Sequence, residues 1–190
     1  MTVIGLDGGA RTPREADHLL HRLAGLLPLP AGALGCTHQV RAPEPRLAVS
    51  LTLPDEGTAR SVLDRLRGAG ADAPSAVWGE RWLPGAAGSR AGAEAAATAA
   101  ASGTGRAVLF PGWDSLTGSL TLAELFDRTA ISRAEVLGGT VPEASAVLDT
   151  RGHVRPERAD GALLLRLMPV RGGGYVPFEI PDPHPCCGVH

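Results

Sequence analysis

Arg46-Leu-Ala-Val-Ser-Leu-Thr-Leu53 is the clearest β-strand pattern in the chain, and the elements on either side of it decide the fold. Leu47, Val49, Leu51 and Leu53 alternate with small or polar residues, the period of two that puts one face of a strand into a core. On its N-terminal side, Leu34 to Arg41 alternates weakly and reads as a partner strand. Before that, Thr12-Pro-Arg-Glu15 is a capping box with proline at the first helical position. The helix it opens carries Ala16, Leu19, Leu20, Leu23, Leu26 and Leu27 at a spacing near 3.6, and Pro28 and Pro30 stop it. Thr2 to Leu6 is a short apolar strand, and Asp7 to Ala10 is a turn. On the C-terminal side, Pro54-Asp55 opens a second helix with Ala59, Val62, Leu63 and Leu66 as its stripe, ended by Gly68 or Gly70. Ser75 to Trp82 reads as a further strand.

The order β-α-β-β-α-β over residues 1–83 predicts an α+β fold. Its N-terminal part is expected to be a ferredoxin-like (split βαβ) sandwich, with both helices on one face of an antiparallel sheet. Residues 84–105 are Ala, Gly, Ser and Thr with few charges. They read as an Ala/Gly-rich flexible linker, although the alanine run from Glu94 to Ala101 has the composition of a helix. Residues 106–180 are expected to form a small C-terminal α+β domain. Strands are expected at Arg106–Phe110, Ala146–Thr150, Ala162–Met168 and Tyr175–Ile180, the last two joined by the turn Arg171-Gly-Gly-Gly174. Capping boxes at Thr121-Leu-Ala-Glu124 and Ser132-Arg-Ala-Glu135 add a helical hairpin to the antiparallel strands.

Length and composition bound the rest. A chain of 190 residues suits one large domain or two small ones, and 44% hydrophobic residues suffice for a core. Only 4% are aromatic, so that core is built from Leu, Val and Ala. All 18 basic residues are arginine, which points to a GC-rich bacterial genome. A net charge of -2 gives no basic field to draw in nucleic acid, which is not an expected partner. The N-terminus lacks the pattern of a signal peptide, and no run reaches the length of a membrane helix, so a cytoplasmic protein with reduced thiols and no membrane partner is expected.

The densest ligand chemistry is in residues 181–190, Pro-Asp-Pro-His-Pro-Cys-Cys-Gly-Val-His, a Cys/His-containing C-terminal tail. His184, Cys186, Cys187 and His190 supply two thiols and two imidazoles, the donors preferred by zinc and copper(I). Adjacent cysteines make a strained disulfide, so free thiols or metal thiolates are expected. The spacing is not the C-x2-C of structural zinc sites, and Cys36, His38 or His153 offer donors from elsewhere. His18 and His21 share a face of the first helix at i, i+3 spacing, where solvation is the simpler expectation. Asp149-Thr-Arg-Gly-His153 reads as a hairpin turn. There is no G-x-S-x-G or H-E-x-x-H motif, and a cysteine nucleophile on a tail would lack a held geometry, so catalysis ranks last.

Two local resemblances remain. Thr121-Leu-Ala-Glu-Leu-Phe-Asp-Arg-Thr-Ala-Ile-Ser-Arg-Ala-Glu-Val136 resembles a bacterial helix-turn-helix, which implies a second helix that enters a DNA groove. It departs from that pattern at Ala130, where glycine is usual, and at Gly138-Gly139, which ends the would-be recognition helix early. Ile4-Gly-Leu-Asp-Gly-Gly9 resembles the first phosphate loop of the sugar-kinase and actin superfamily. There a second strand follows, whereas Thr12-Pro13 here starts a helix, and a β-to-α turn is the preferred reading.

Two readings of function follow. In the first, the tail binds zinc or copper or does thiol redox chemistry, and the ferredoxin-like half is a scaffold. In the second, the chain is a non-metal regulatory or interaction module. Its ferredoxin-like domain would bind a small molecule, a protein or a second copy through its sheet, and the 120–139 hairpin would contact a partner or, weakly, DNA.

Overall fold

The computed structural model describes residues 1–41, 44–70 and 73–181, and His184, Cys186, Cys187 and His190 lie outside the described residues. The fold is mixed α+β. β1 (Thr2–Ala10), α1 (Pro13–Leu26), β2 (Leu34–Val40), β3 (Arg46–Leu53), α2 (Glu56–Gly68), β4 (Ser75–Trp78), β5 (Arg81–Leu83) and α3 (Arg90–Ala101) come first. β6 (Arg106–Leu109), β7 (Ser119–Thr121), α4 (Leu122–Arg128), β8 (Ile131–Val136), β9 (Val147–Asp149), β10 (Glu157–Ala159), β11 (Ala162–Pro169) and β12 (Tyr175–Pro177) follow.

All strands belong to one mixed sheet in the order β5-β4-β1-β3-β2-β6-β10-β11-β12-β9-β7, with β8 beside β11. β3 lies antiparallel between β1 and β2, and β1 lies antiparallel between β3 and β4. The alternation in β3 works as expected. Val49, Leu51 and Leu53 join Ile4 and Leu6 of β1 under Leu19, Leu20 and Leu23 of α1 and Val62, Leu63 and Leu66 of α2. Both helices start as the sequence dictates: Thr12 and Glu15 form a reciprocal capping box, and Asp55 accepts from Thr58 N.

The opposite face of β1 and β3 holds small residues, and α3 covers it. A Cβ on Gly5 would sit 1.9 Å from the Ala93 carbonyl oxygen, so strand and helix meet backbone to backbone. Ala93, Ala96 and Ala100 are buried there, and Ala96 packs with Val40 and Ala48. The alanine run within residues 84–105 is therefore an ordered helix seated on the sheet. Small side chains on both partners leave room for that close approach. Ser89 caps the helix, donating nothing to it and accepting from Gly92 N.

A second core lies around Phe110, Leu116, Leu122, Leu125, Ile131, Leu148, Leu165 and Leu167, and includes Cys36 of β2. The expected helical hairpin at 120–139 is corrected here. α4 forms under its capping box, but residues Ile131–Val136 are strand β8, parallel to β11. Thr129 ends α4 with an extended backbone, and its hydroxyl donates to Leu125 O and accepts from Ile131 N. Ser132 is exposed and caps nothing, while Glu135 binds Arg133 and Arg166. Pairing with β11 and burial of Ile131 and Ala134 outweigh the local helical signal, so residues Ile131–Val136 are not the second helix that the resemblance implies.

Candidate functional site

The described residue set most heavily committed to charge is centred on Arg106, the first residue of β6. Its backbone stands between Thr37 of β2 and Glu157 of β10 in the sheet. Its guanidinium donates through Nη1 to Asp17 Oδ1 (2.5 Å) and through Nη2 to Asp17 Oδ2 (3.2 Å). Nε donates to both oxygens of Glu179 (2.8 and 2.7 Å), and Nη2 also reaches Glu179 Oε1. Arg155 Nε adds a bond to Asp17 Oδ2 (2.8 Å), and His153 Nε2 lies 3.1 Å from Glu179 Oε1. Four segments far apart in sequence thus meet: α1, β6, the stretch after β9 and the stretch after β12.

Burial works against both carboxylates, and the cations overcome it. Asp17 is penalised by burial, yet hydrogen bonds and charge from Arg106 and Arg155 hold its carboxyl below the usual range. Glu179 is likewise penalised by burial, yet His153 and Arg106 bring it down to about 2. Burial also disfavours the charged form of Arg106, and the bonds to Glu179 and Asp17 raise it nonetheless. Beside the cluster is a small cavity of about 170 Å³ lined by Arg106, Arg155, Arg166, Glu157, Phe178 and Glu179.

The donors that could assist the tail are placed as follows. Cys36 is fully buried, and desolvation pushes its thiol up to about 12, so it is not a thiolate. His38 is buried with Nε2 2.8 Å from Ser50 Oγ, and burial with the nearby Arg158 charge takes it down to about 4. His153 holds Glu179. His18 is exposed, whereas His21 packs on Trp113 with ring centroids 4.9 Å apart. Asp149 to His153 form a turn in which His153 N donates to Thr150 O. Among the described residues no group of three or more His, Cys, Asp or Glu side chains could hold a metal ion.

Asp7, the acid of the Asp-Gly-Gly stretch, faces inward. It accepts from Gly9 N (2.8 Å), Ser89 N (2.8 Å), Ser89 Oγ (3.0 Å) and Arg46 Nη1 (3.3 Å), and is fully buried. It anchors the start of α3 and offers nothing to a phosphate-bound cation. A second surface lies outside it: a groove of about 820 Å³ between residues 8–11 and one side of α1, which includes Glu15, His18, His21 and Arg22. The sheet face on which a second copy was expected is the one covered by α3.

The Arg106 cluster was not read from the sequence. The signal at Asp17 is position: it lies beside the apolar stripe of α1 and is itself buried. Arg106, Arg155 and Glu179 carry no local signal, because their partners are between 26 and 138 residues away. No known protein family matches the chain, and no curated protein or solved structure matches it. No helix among the described residues is long and apolar enough to cross a membrane.

Proposed function

We propose that the protein binds a soft transition metal, zinc or copper, or cycles thiols, through His184, Cys186, Cys187 and His190. The observation that carries this reading is four donors, two thiols and two imidazoles, within seven residues, on a segment that begins just beyond a fixed point. Glu179 is that point, gripped by Arg106 and His153, so the donors follow a root that is tied to the sheet. Thiolates Cys186 and Cys187 would be the main ligands, and the imidazoles of His184 and His190 would complete four-coordination.

The scaffold in this proposal is a ferredoxin-like unit over residues 1–83. The β4-β1-β3-β2 order, with α1 and α2 as crossovers over one face, supports that layout. The reading places the protein in the cytoplasm, where thiols stay reduced.

Elemental analysis of untagged protein tests it, wild type beside Cys186→Ser/Cys187→Ser. About one zinc or copper per chain in the wild type, lost in the double variant, is the expected result. No metal in either protein, with both tail thiols freely titratable, sinks the metal reading. Failure of those thiols to cycle with a dithiol reductant sinks the redox one.

A further inference from the structure

The groove along α1 has the features of an anion site, independent of the tail. Its wall is one stripe of the helix and its lead-in: Arg11, Glu15, His18 and Arg22, spaced i, i+4, i+7 and i+11. Its floor is the backbone of Gly8, Gly9 and Ala10 in β1. β1 bulges there, with Leu6 opposite Val49 but Ala10 opposite Leu47. A side chain at Gly8 would start 2.8 Å from Leu19 Cδ2, between strand and helix, so glycine keeps that floor bare and the backbone within reach of a ligand.

The charges favour an anion. Glu15, the one acid in the wall, is turned to the helix start and accepts from Arg11 N (2.7 Å) and Thr12 N (3.3 Å). Arg11 meets Glu44 only at 3.5 Å with both side chains mostly in water, a weak pair that a bound anion can replace. Arg22 is exposed and makes no ion pair among the described residues. His21, also in the lining, packs against Trp113 with the two rings tilted by 44°. Burial and the Arg155 charge lower its pKa, and its ring nitrogens are hydrogen-bonding groups in the groove.

We propose that this groove binds a small, multiply charged oxyanion, a diphosphate or a polycarboxylate, held by Arg11 and Arg22 with His18 and His21 as hydrogen-bonding neighbours. The volume suits a small molecule, and a wall of guanidinium and imidazole groups over bare backbone suits oxygen ligands.

The test is isothermal titration of the full chain with inorganic pyrophosphate and, separately, citrate at low ionic strength. It is run in the Cys186→Ser/Cys187→Ser background, so that chelation of a tail-bound metal contributes no heat and the two readings fail separately. Saturable one-to-one binding of at least one probe is expected. Pyrophosphate alone would mark a phosphate-bearing ligand, and citrate alone a carboxylate-bearing one. Arg22→Ala and Arg11→Ala should each weaken binding about tenfold, the cost of one charge-assisted contact, and Arg11→Glu/Arg22→Glu should abolish it. Both positions are exposed, so the fold survives, as far-UV circular dichroism will verify. Arg60→Ala/Arg81→Ala, in the separate hollow beside Trp78, should change nothing. Absence of saturable binding for both probes, or equal affinity in Arg11→Glu/Arg22→Glu, overturns the proposal.

Discussion

Replacing Arg106 with glutamine removes the charge that Asp17 and Glu179 share, and the structure gives the size and pH dependence of the loss. Breaking a buried ion pair by removing one partner costs about 3–5 kcal/mol, because the other charge stays in a poorly solvated place. Both carboxylates here keep a second partner, Arg155 for Asp17 and His153 for Glu179, so the low end, about 3 kcal/mol at pH 7, is expected. Asp17 dominates this figure, since its side chain is only 11% exposed against 36% for Glu179.

The pH dependence follows from the direction of the shifts. Both carboxyls sit lower in the folded protein than in the unfolded chain. Their contribution is therefore full above the unfolded values, near 4 to 4.5, and is lost as pH falls through the folded ones. For Glu179 that window runs from 4.5 down to about 2. Taken at face value the shift is worth about 3 kcal/mol, and with a third of the side chain in water about 1–2 kcal/mol is the expectation. Urea unfolding of wild type and Arg106→Gln from pH 7 to pH 2.5 reads both quantities. The gap between the proteins should be about 3 kcal/mol at pH 7 and shrink to under half by pH 2.5. A gap below about 1 kcal/mol at pH 7, or one unchanged at low pH, would refute the reasoning. Arg67→Gln, which breaks an exposed pair with Asp64, is the control and should leave stability unmoved.

Two further outcomes are expected. Gly5→Ala drives a methyl group onto the Ala93 carbonyl oxygen and must push α3 off the sheet, so it should cost 3 kcal/mol or more, beyond the usual ~1–3 kcal/mol of overpacking; a urea midpoint within error of wild type would show that the helix is not seated there. Cys36 should resist iodoacetamide at pH 8, because a thiol pushed up to about 12 is about one part in ten thousand thiolate, and peptide mapping that finds it alkylated within minutes in native protein would contradict its burial.

What could be read from the sequence divides by the range of the forces involved. Much of the first 83 residues was legible because its signals are local, although Asp7 to Ala10, expected as a turn, continues β1, and Ser75 to Trp82 is divided between β4 and β5. The alternation of Leu47 to Leu53, the Thr12–Glu15 capping box and the Asp55 cap each act within a few residues, and each sits where expected. The same local logic failed at Ile131–Val136. Ser132 and Glu135 have the spacing of a capping box, but the parallel neighbour β11 lies about thirty residues on and decides the conformation. β10 was missed although Ala159-Asp-Gly-Ala162 is a two-residue hairpin signal, with Asp160 and Gly161 both at positive φ in the turn (52° and 78°). Residues 84–105 read as linker by composition because composition does not know that Gly5, Ala48 and Ser50 leave a shallow face for alanines to fill. The tail is the reverse case: its chemistry is explicit in the sequence, and residues 182–190 lie outside the described residues.

Arg106 also explains how the two halves hold one sheet with so little ladder between them. β6 meets β2 through three residue pairs, with an irregularity between Gly35 and Cys36, and meets β10 through the single pair Glu157 and Arg106. A seam that thin does not fix strand register through backbone bonds alone. The Arg106 side chain supplies what the ladder lacks. It fixes β6 to α1 through Asp17 and to the stretch after β12 through Glu179, and a slip of one residue would turn the guanidinium to the other face, leaving two carboxylates without their shared cation. Such a slip would forfeit the same interaction that Arg106→Gln removes, so the cluster disfavours the slipped register by about as much as it stabilises the fold, ~3 kcal/mol. The root of the tail is tied to that same choice, since Glu179 keeps its bonds to Arg106 only in this register and otherwise retains His153 alone.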